Sequence, residues 1–269
     1  MSTVPVPLSL SLSLSLYFVV CFVLTHPCIL SLSLSLSLSL FLSFSLSLSL
    51  SLRISAAEIE NLDRLFQLVL DQAALNDPGM LSTVVCIASD HGEMLGDHGD
   101  VDKSKPWEGS AHVPLICMGP GIQAGATVTS PVATLDMGGT FLDFAGTKPA
   151  PGMSTQSFRG LLEGKGTSES TGYRSFVSSG LSNFRLVVWE DPTTQTQWKY
   201  ICCLGECPFA PSTAPQPKQK GGYVEMLIDI VKDPYDMHDQ APKEREVVKK
   251  LQTLLPPAYA AGCTALSNA

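Results

Sequence analysis

The chain has 269 residues, with 25 acidic against 17 basic side chains and a formal net charge of −8. Such a length holds one large domain or two small ones. The acidic balance argues against nucleic-acid binding, which wants a basic face, and against a polybasic membrane-surface role.

Residues 1–52 contain no Asp, Glu, Lys or Arg, so all of the charge lies from Arg53 onward. Residues 8–16 and 31–52 are nearly pure Ser-Leu alternation. Period two is ordinarily a strand signal. Here every register is equivalent, so the tract cannot specify a unique core. A repeating CT dinucleotide encodes Ser-Leu in every forward frame, and the tract reads as a translated microsatellite. The apolar part of residues 17–30 is short for a spanning helix of roughly 20 residues, though flanking leucines extend it. No Lys or Arg stands near Met1, as a signal peptide would want. Residues 1–52 are therefore set apart as a low-complexity segment, disordered or membrane-seeking. Membrane contact is expected only through it.

From Ser55 the texture changes. Ile59, Leu62, Leu65, Phe66 and Val69 recur at helical spacing, Ser55 and Glu58 form a capping box, and Asp77-Pro78-Gly79 stops the helix. The apolar run within residues 82–89 reads as a strand buried on both faces, as in a parallel α/β sheet. At its end comes Asp90-His91-Gly92, echoed by Asp97-His98-Gly99. Ligands of open α/β sheets bind at the carboxyl ends of strands. Asp90 there can offer a charged oxygen to a cation, and Gly92 lets the backbone turn away. Lys103 follows in a loop able to fold back over the strand end. Residues 112–118 form a second strand-like run, and residues 130–146 lead into a short amphipathic helix. Further on, residues 184–191 and 197–204 read as strands joined by a hairpin-like connection. Residues 207–222 form a Pro/Gly-rich loop, and residues 243–255 a charged terminal helix. The organisation expected is an α/β portion over residues 53–165 and a small α+β subdomain with antiparallel strands over 166–269.

The eight cysteines show no paired CxxC spacing, against a structural zinc site. Cys86 and Cys117 read as small core residues. For Cys202, Cys203 and Cys207 a local disulfide and free thiols both stay open.

Taken together, "SDHGEMLGDHG", Lys103, "HVPLICMGPGI", "LDMGGTFLDFAG" and "DPYDMHDQA" resemble the sulfatase family of the alkaline-phosphatase-like superfamily, over roughly residues 55–260. The resemblance implies a partial alkaline-phosphatase-like parallel sheet with helices. It implies a metal-dependent hydrolase of sulfate esters that uses a divalent cation, usually Ca2+, beside a formylglycine made from Cys or Ser. By the same resemblance Asp90 and His91 are metal ligands and Lys103 contacts the sulfate oxygens. His98, in the second loop element, and His112, before the second strand, are further candidates. The partner expected is a sulfated small molecule or carbohydrate, not nucleic acid. Independently of the name, a cation and a fixed ammonium suit the negative charge that a sulfate ester develops.

Two features depart from the family pattern. No Cys is followed by Pro at plus two and Arg at plus four, so the C-x-P-S-R motif of the nucleophile is absent. Gly139 stands where many members have Pro. The expectation is a chain that lacks the nucleophile and about half the metal shell. A phosphodiesterase or phosphonate hydrolase of the same superfamily, and a catalytically inactive anion- or metal-binding fragment, remain as alternatives. Against these readings stand plainer ones: a strand-end cap for Asp90 and His91, a solvated loop lysine for Lys103, a loop hydrogen bond for His98 and a packed histidine for His112. Secreted, lysosomal and membrane-associated locations stay open.

Overall fold

The computed structural model describes residues 53–181, 183–204, 223–255 and Cys263. The Ser-Leu tract, Cys207 and the Pro/Gly-rich loop lie outside the described residues. Two compact units divide at Asp63 and Arg64. In the first, residues 53–63 are helical, and the second opens with helical residues 64–76. This run is α1. It is already helical at Arg53, so the capping box of Ser55 and Glu58 lies within it. Its end coincides with the Asp-Pro-Gly signal. The Asp77 carboxylate accepts bonds from the amides of Leu81 and Ser82 and the hydroxyls of Ser82 and Thr83. The apolar stripe of Ile59, Leu62, Leu65, Phe66 and Val69 is exposed.

Strand β1 (Val85–Ala88) pairs antiparallel with β2 (Leu115–Met118). A parallel neighbour buried on both faces was expected. Among the described residues the neighbour is instead antiparallel, and β1 is half-buried. The connection carries only two short helical turns, Asp97–Gly99 and α2 (Glu108–Ala111), and not the crossover helix that usually joins parallel strands. Cys86 and Cys117 face each other directly across the ribbon and form a disulfide, so they are not the core thiols that their apolar context suggested. The bond closes a loop of sequence separation 31. Restricting the unfolded chain in this way is worth about 3–4 kcal/mol.

Helix α3 (Met137–Phe144) stops before Gly146, as its sequence indicates. It meets α4 (Arg159–Leu162), which meets α5 (Ser168–Thr171). Phe158, Leu161 and Tyr173 form their core, with Leu115 of β2 packed against it. At its foot the fully buried Asp136 accepts bonds from the Tyr173 hydroxyl, the Arg174 guanidinium and the Gln156 amide at 2.5, 2.7 and 2.8 Å. The Gly139 amide donates to Thr155 Oγ1 at 2.8 Å. A proline has no N–H for that bond, so the departure at this position is locally compensated.

The remaining strands, β3 (Phe176–Leu181), β4 (Phe184–Glu190), β5 (Gln197–Leu204) and β6 (Tyr223–Asp229), form an antiparallel meander in that order. Side chains alternate between its faces. On one face Val187, Trp189, Tyr200 and Leu227 pack against Val248 and Leu251 of α6 (Arg245–Thr253). Cys202 of this face is bonded to Cys263, so neither the local disulfide nor the free-thiol reading holds for it, while Cys203 is buried on the other face. On the other face Phe184, Leu186, Ile201, Met226 and Ile228 cluster with Met94 and Trp107, which come from the loop between β1 and β2. The sheet is thus a platform with a helix on one side and the motif-bearing loop on the other.

Candidate functional site

The loop between β1 and β2 folds back by two backbone bonds. The Gly92 amide donates to the Ser110 carbonyl and the Met94 amide to the Asp102 carbonyl, each at 2.9 Å. A Cβ on Gly92 would lie 2.0 Å from the Gly109 carbonyl oxygen, so this contact admits glycine alone. Met94 and Trp107 plug the loop into the sheet, both almost fully buried. The His98 ring stacks on Trp107, with centroids 4.3 Å apart and an interplanar angle of 12°. His98 itself has a positive φ of 55°, in the left-handed region.

Asp90 leaves the end of β1 with its carboxylate 3.6 Å from His91 Nε2 and open to solvent. The His91 Nδ1 lies 2.9 Å from the Gly92 carbonyl oxygen. Lys103 Nζ lies 3.2 Å from the Asp102 carboxylate. Hydrogen bonding to Lys103 first, and then its charge, hold the Asp102 carboxyl below its ordinary range, with a smaller pull from His91. Asp90 thus pairs with His91 and Asp102 with Lys103, and the weak pull of His91 on Asp102 is what links the two pairs. The backbone bond between Met94 and Asp102 is what brings the lysine back towards the strand end. Lys105, two residues on, is 2.6 Å from Asp100. His98 is engaged by Trp107. His112 is not packed: its side chain is exposed, with Nδ1 2.8 Å from Glu108.

Sequence reasoning missed the ion network behind this loop. Lys199 lies on the face of β5 that Ile201 and Cys203 share, so its side chain enters the interface under the loop. It is 1% exposed. Its Nζ lies 2.6 Å from Asp236 and 2.8 Å from Glu108. Asp236 also accepts the Glu108 amide at 2.7 Å. Burial works to raise the Glu108 carboxyl, but the His112 hydrogen bond and Lys199 outweigh it and hold Glu108 down at about 2. Its bond to Glu108 pushes His112 up against the effect of burial. Burial pushes Asp236 up, against Lys199 and the Glu108 amide. One lysine is shared between two carboxylates, and only Glu108 has a second cationic partner. An uninterrupted strand pattern gave no hint that position 199 would meet a residue 91 positions earlier.

Among the described residues no group of three or more His, Cys, Asp and Glu could hold a metal ion. Asp90 and His91 alone offer one carboxylate and one imidazole, whereas calcium takes six to eight oxygen ligands. The described residues do not by themselves fit a cation.

Residues 51–147 match the Sulfatase family model. Arylsulfatase K of Danio rerio is 44% identical over 91 residues, covering 34% of this chain and 17% of the relative. Arylsulfatase K of Xenopus laevis is 30% identical over 197 residues, covering 68% and 33%. The chain thus spans a third or less of the length of these curated relatives. Among solved structures it is similar to BT4656, described in complex with its substrate D-glucosamine-2-N,6-O-disulfate, with a TM-score of 0.54 and 22% identity over 77% of this chain and 39% of that one. That last likeness is one of fold, and it agrees with a partial α/β sulfatase fold.

Proposed function

Because the chain belongs to the sulfatase family, we propose that the end of β1 and the loop after it form the anion-contacting part of a sulfuric ester hydrolase site. The carrying observation is the Asp90–His91 pair at the strand end together with the backbone bond between Met94 and Asp102, which folds the Asp102–Lys103 pair back along the same loop. In this reading Lys103 donates to the oxygens of a sulfate group, a charge-assisted contact in which the ammonium meets spread negative charge. The partner is a sulfated small molecule or carbohydrate, a reading supported by the sulfated sugar named with BT4656.

The Lys103 ammonium has three N–H donors, so it can hold Asp102 and a sulfate oxygen together, but the Asp102 charge repels the incoming anion. Asp102 is thus a competitor that sets how strongly an incoming oxyanion is held. The calcium ion implied by the family enters this reading only through Asp90 and His91, which would contribute two of its ligands. C-x-P-S-R, the source of formylglycine, is absent from the sequence, which favours a second reading, a catalytically silent anion- or metal-binding chain. No step is assigned to Asp90 or His91. His98 and His112 stay candidates for contacts at the rim of the site.

Titration with inorganic sulfate tests the site. The Lys103→Met variant is expected to bind about tenfold more weakly, the effect of one charge-assisted contact. Asp102→Asn is expected to bind several-fold more tightly. If the unmodified chain takes up no sulfate, or Lys103→Met binds equally well, the reading is wrong. Sulfate release from an aryl sulfate with added calcium separates the two readings. Turnover by this chain would overturn the silent one.

A further inference from the structure

All five candidate residues, Asp90, His91, His98, Lys103 and His112, lie inside the loop closed by the Cys86–Cys117 disulfide. The loop is held unevenly. Its middle is anchored to the sheet by Met94, Trp107 and the Lys199–Glu108 ion pair. The limb that delivers Asp90 and His91 is β1, which has four paired positions on β2 and no other strand neighbour among the described residues. A two-stranded ribbon of that size is marginal in water. Beyond this ribbon, the limb of Asp90 and His91 is tied to the rest of the loop by the Gly92–Ser110 backbone bond and covalently by the Cys86–Cys117 disulfide.

The two disulfides also differ in access. Cys202 and Cys263 are 0% exposed, whereas Cys86 and Cys117 are half-buried. Thiol–disulfide exchange needs a thiolate to reach sulfur, so the ribbon bond is the one a soluble reductant attacks first.

We propose that the Cys86–Cys117 disulfide is a redox clamp on this site. Oxidised, it holds β1, and with it Asp90 and His91, in register with β2, the strand at the far end of the loop that carries Lys103. Reduced by a dithiol, it lets β1 separate and loosens the strand end that carries Asp90 and His91, while the middle of the loop stays on the sheet. The exchange takes two electrons. One thiolate of the dithiol attacks Sγ of one cysteine and forms a mixed disulfide as the other cysteine leaves as thiolate. The second thiol of the reagent then displaces the first cysteine. The protein ends with two thiols and the reagent as a cyclic disulfide. Only the consequence for sulfate binding rests on the function proposed above.

The test uses the full chain, limited exposure to dithiothreitol and alkylation, with mass spectrometry to confirm that Cys86 and Cys117 are opened and Cys202 and Cys263 are not. Amide hydrogen exchange is then followed across residues 84–118. Exchange in residues 85–92 is expected to rise at least about tenfold on reduction, with little change at Met94 and Trp107. A Cys86→Ser/Cys117→Ser variant should show the fast pattern with or without reductant. Equal exchange before and after reduction, selective opening of Cys202–Cys263 first, or a slow pattern in the double variant would each overturn the clamp. Titration with inorganic sulfate is run on both forms. Binding lost on reduction supports clamp and site together. Faster exchange with no sulfate binding in either form supports the clamp and defeats the sulfate reading alone.

Discussion

Glu108 carries a folded carboxyl value of about 2 against an ordinary 4.5. A depressed value contributes stability that is present above pH 4.5 and lost as pH falls from 4.5 towards 2, here about 3 kcal/mol. Glu108→Gln should remove that contribution at neutral pH and flatten the acid limb of melting temperature against pH. His112 has the opposite sign. Its raised value contributes stability below pH 6.5 that fades as pH climbs through the folded value. The same Glu108→Gln change should therefore lower the His112 titration midpoint, read by NMR of its ring protons. Lys199→Met leaves two buried carboxylates facing each other without their ammonium. A loss of about 3–5 kcal/mol in denaturant unfolding is expected. Glu108 and Lys199 were illegible as a pair because ion pairing across such a separation depends on which strand face meets which loop. The strand reading of residues 197–204 contained Lys199 but could not say what lay above it.

The elements themselves were more legible. Strands β4, β5 and β2, helices α3 and α6 and the end of α1 follow alternation, helical spacing and turn residues that act locally. Strand β3 was not anticipated. Its Ser-Ser-Gly stretch has little strand signal, and it forms by pairing with β4 at the sheet edge. At the loop, Gly92 was read as a turn residue. It is also a close-packing residue against the Gly109 carbonyl. Gly92→Ala should disrupt the loop, lowering sulfate affinity and thermal stability together. If both stay unchanged in calorimetry, the contact has no such role. On α1 the helical spacing was legible, but not where its stripe would lie. In the second unit Leu65, Phe66 and Val69 are exposed, an apolar row of the kind that binds hydrophobic dyes. Leu65→Lys/Val69→Lys is expected to cut anilinonaphthalene-sulfonate fluorescence markedly.

Within the second unit, the sheet couples the C-terminal helix α6 to the motif loop. One face carries α6 and the Cys202–Cys263 bond, the other Met94, Trp107 and the Lys199 network. The bond closes a loop of sequence separation 61, worth about 4 kcal/mol by restriction of the unfolded chain. Cys202→Ala/Cys263→Ala should lower stability by about that amount in urea unfolding followed by tryptophan fluorescence. Because Trp107 sits on the opposite face of the same sheet, its buried signal should melt in the same transition.

What the amino-acid order determined alone was the family resemblance and the order of most elements, since each depends on local pattern. Tertiary structure decided that β1 pairs antiparallel, that Cys86 meets Cys117 and Cys202 meets Cys263, and that Lys199 reaches beneath the loop. Those outcomes depend on contacts between segments distant along the chain, and only packing in three dimensions selects among them.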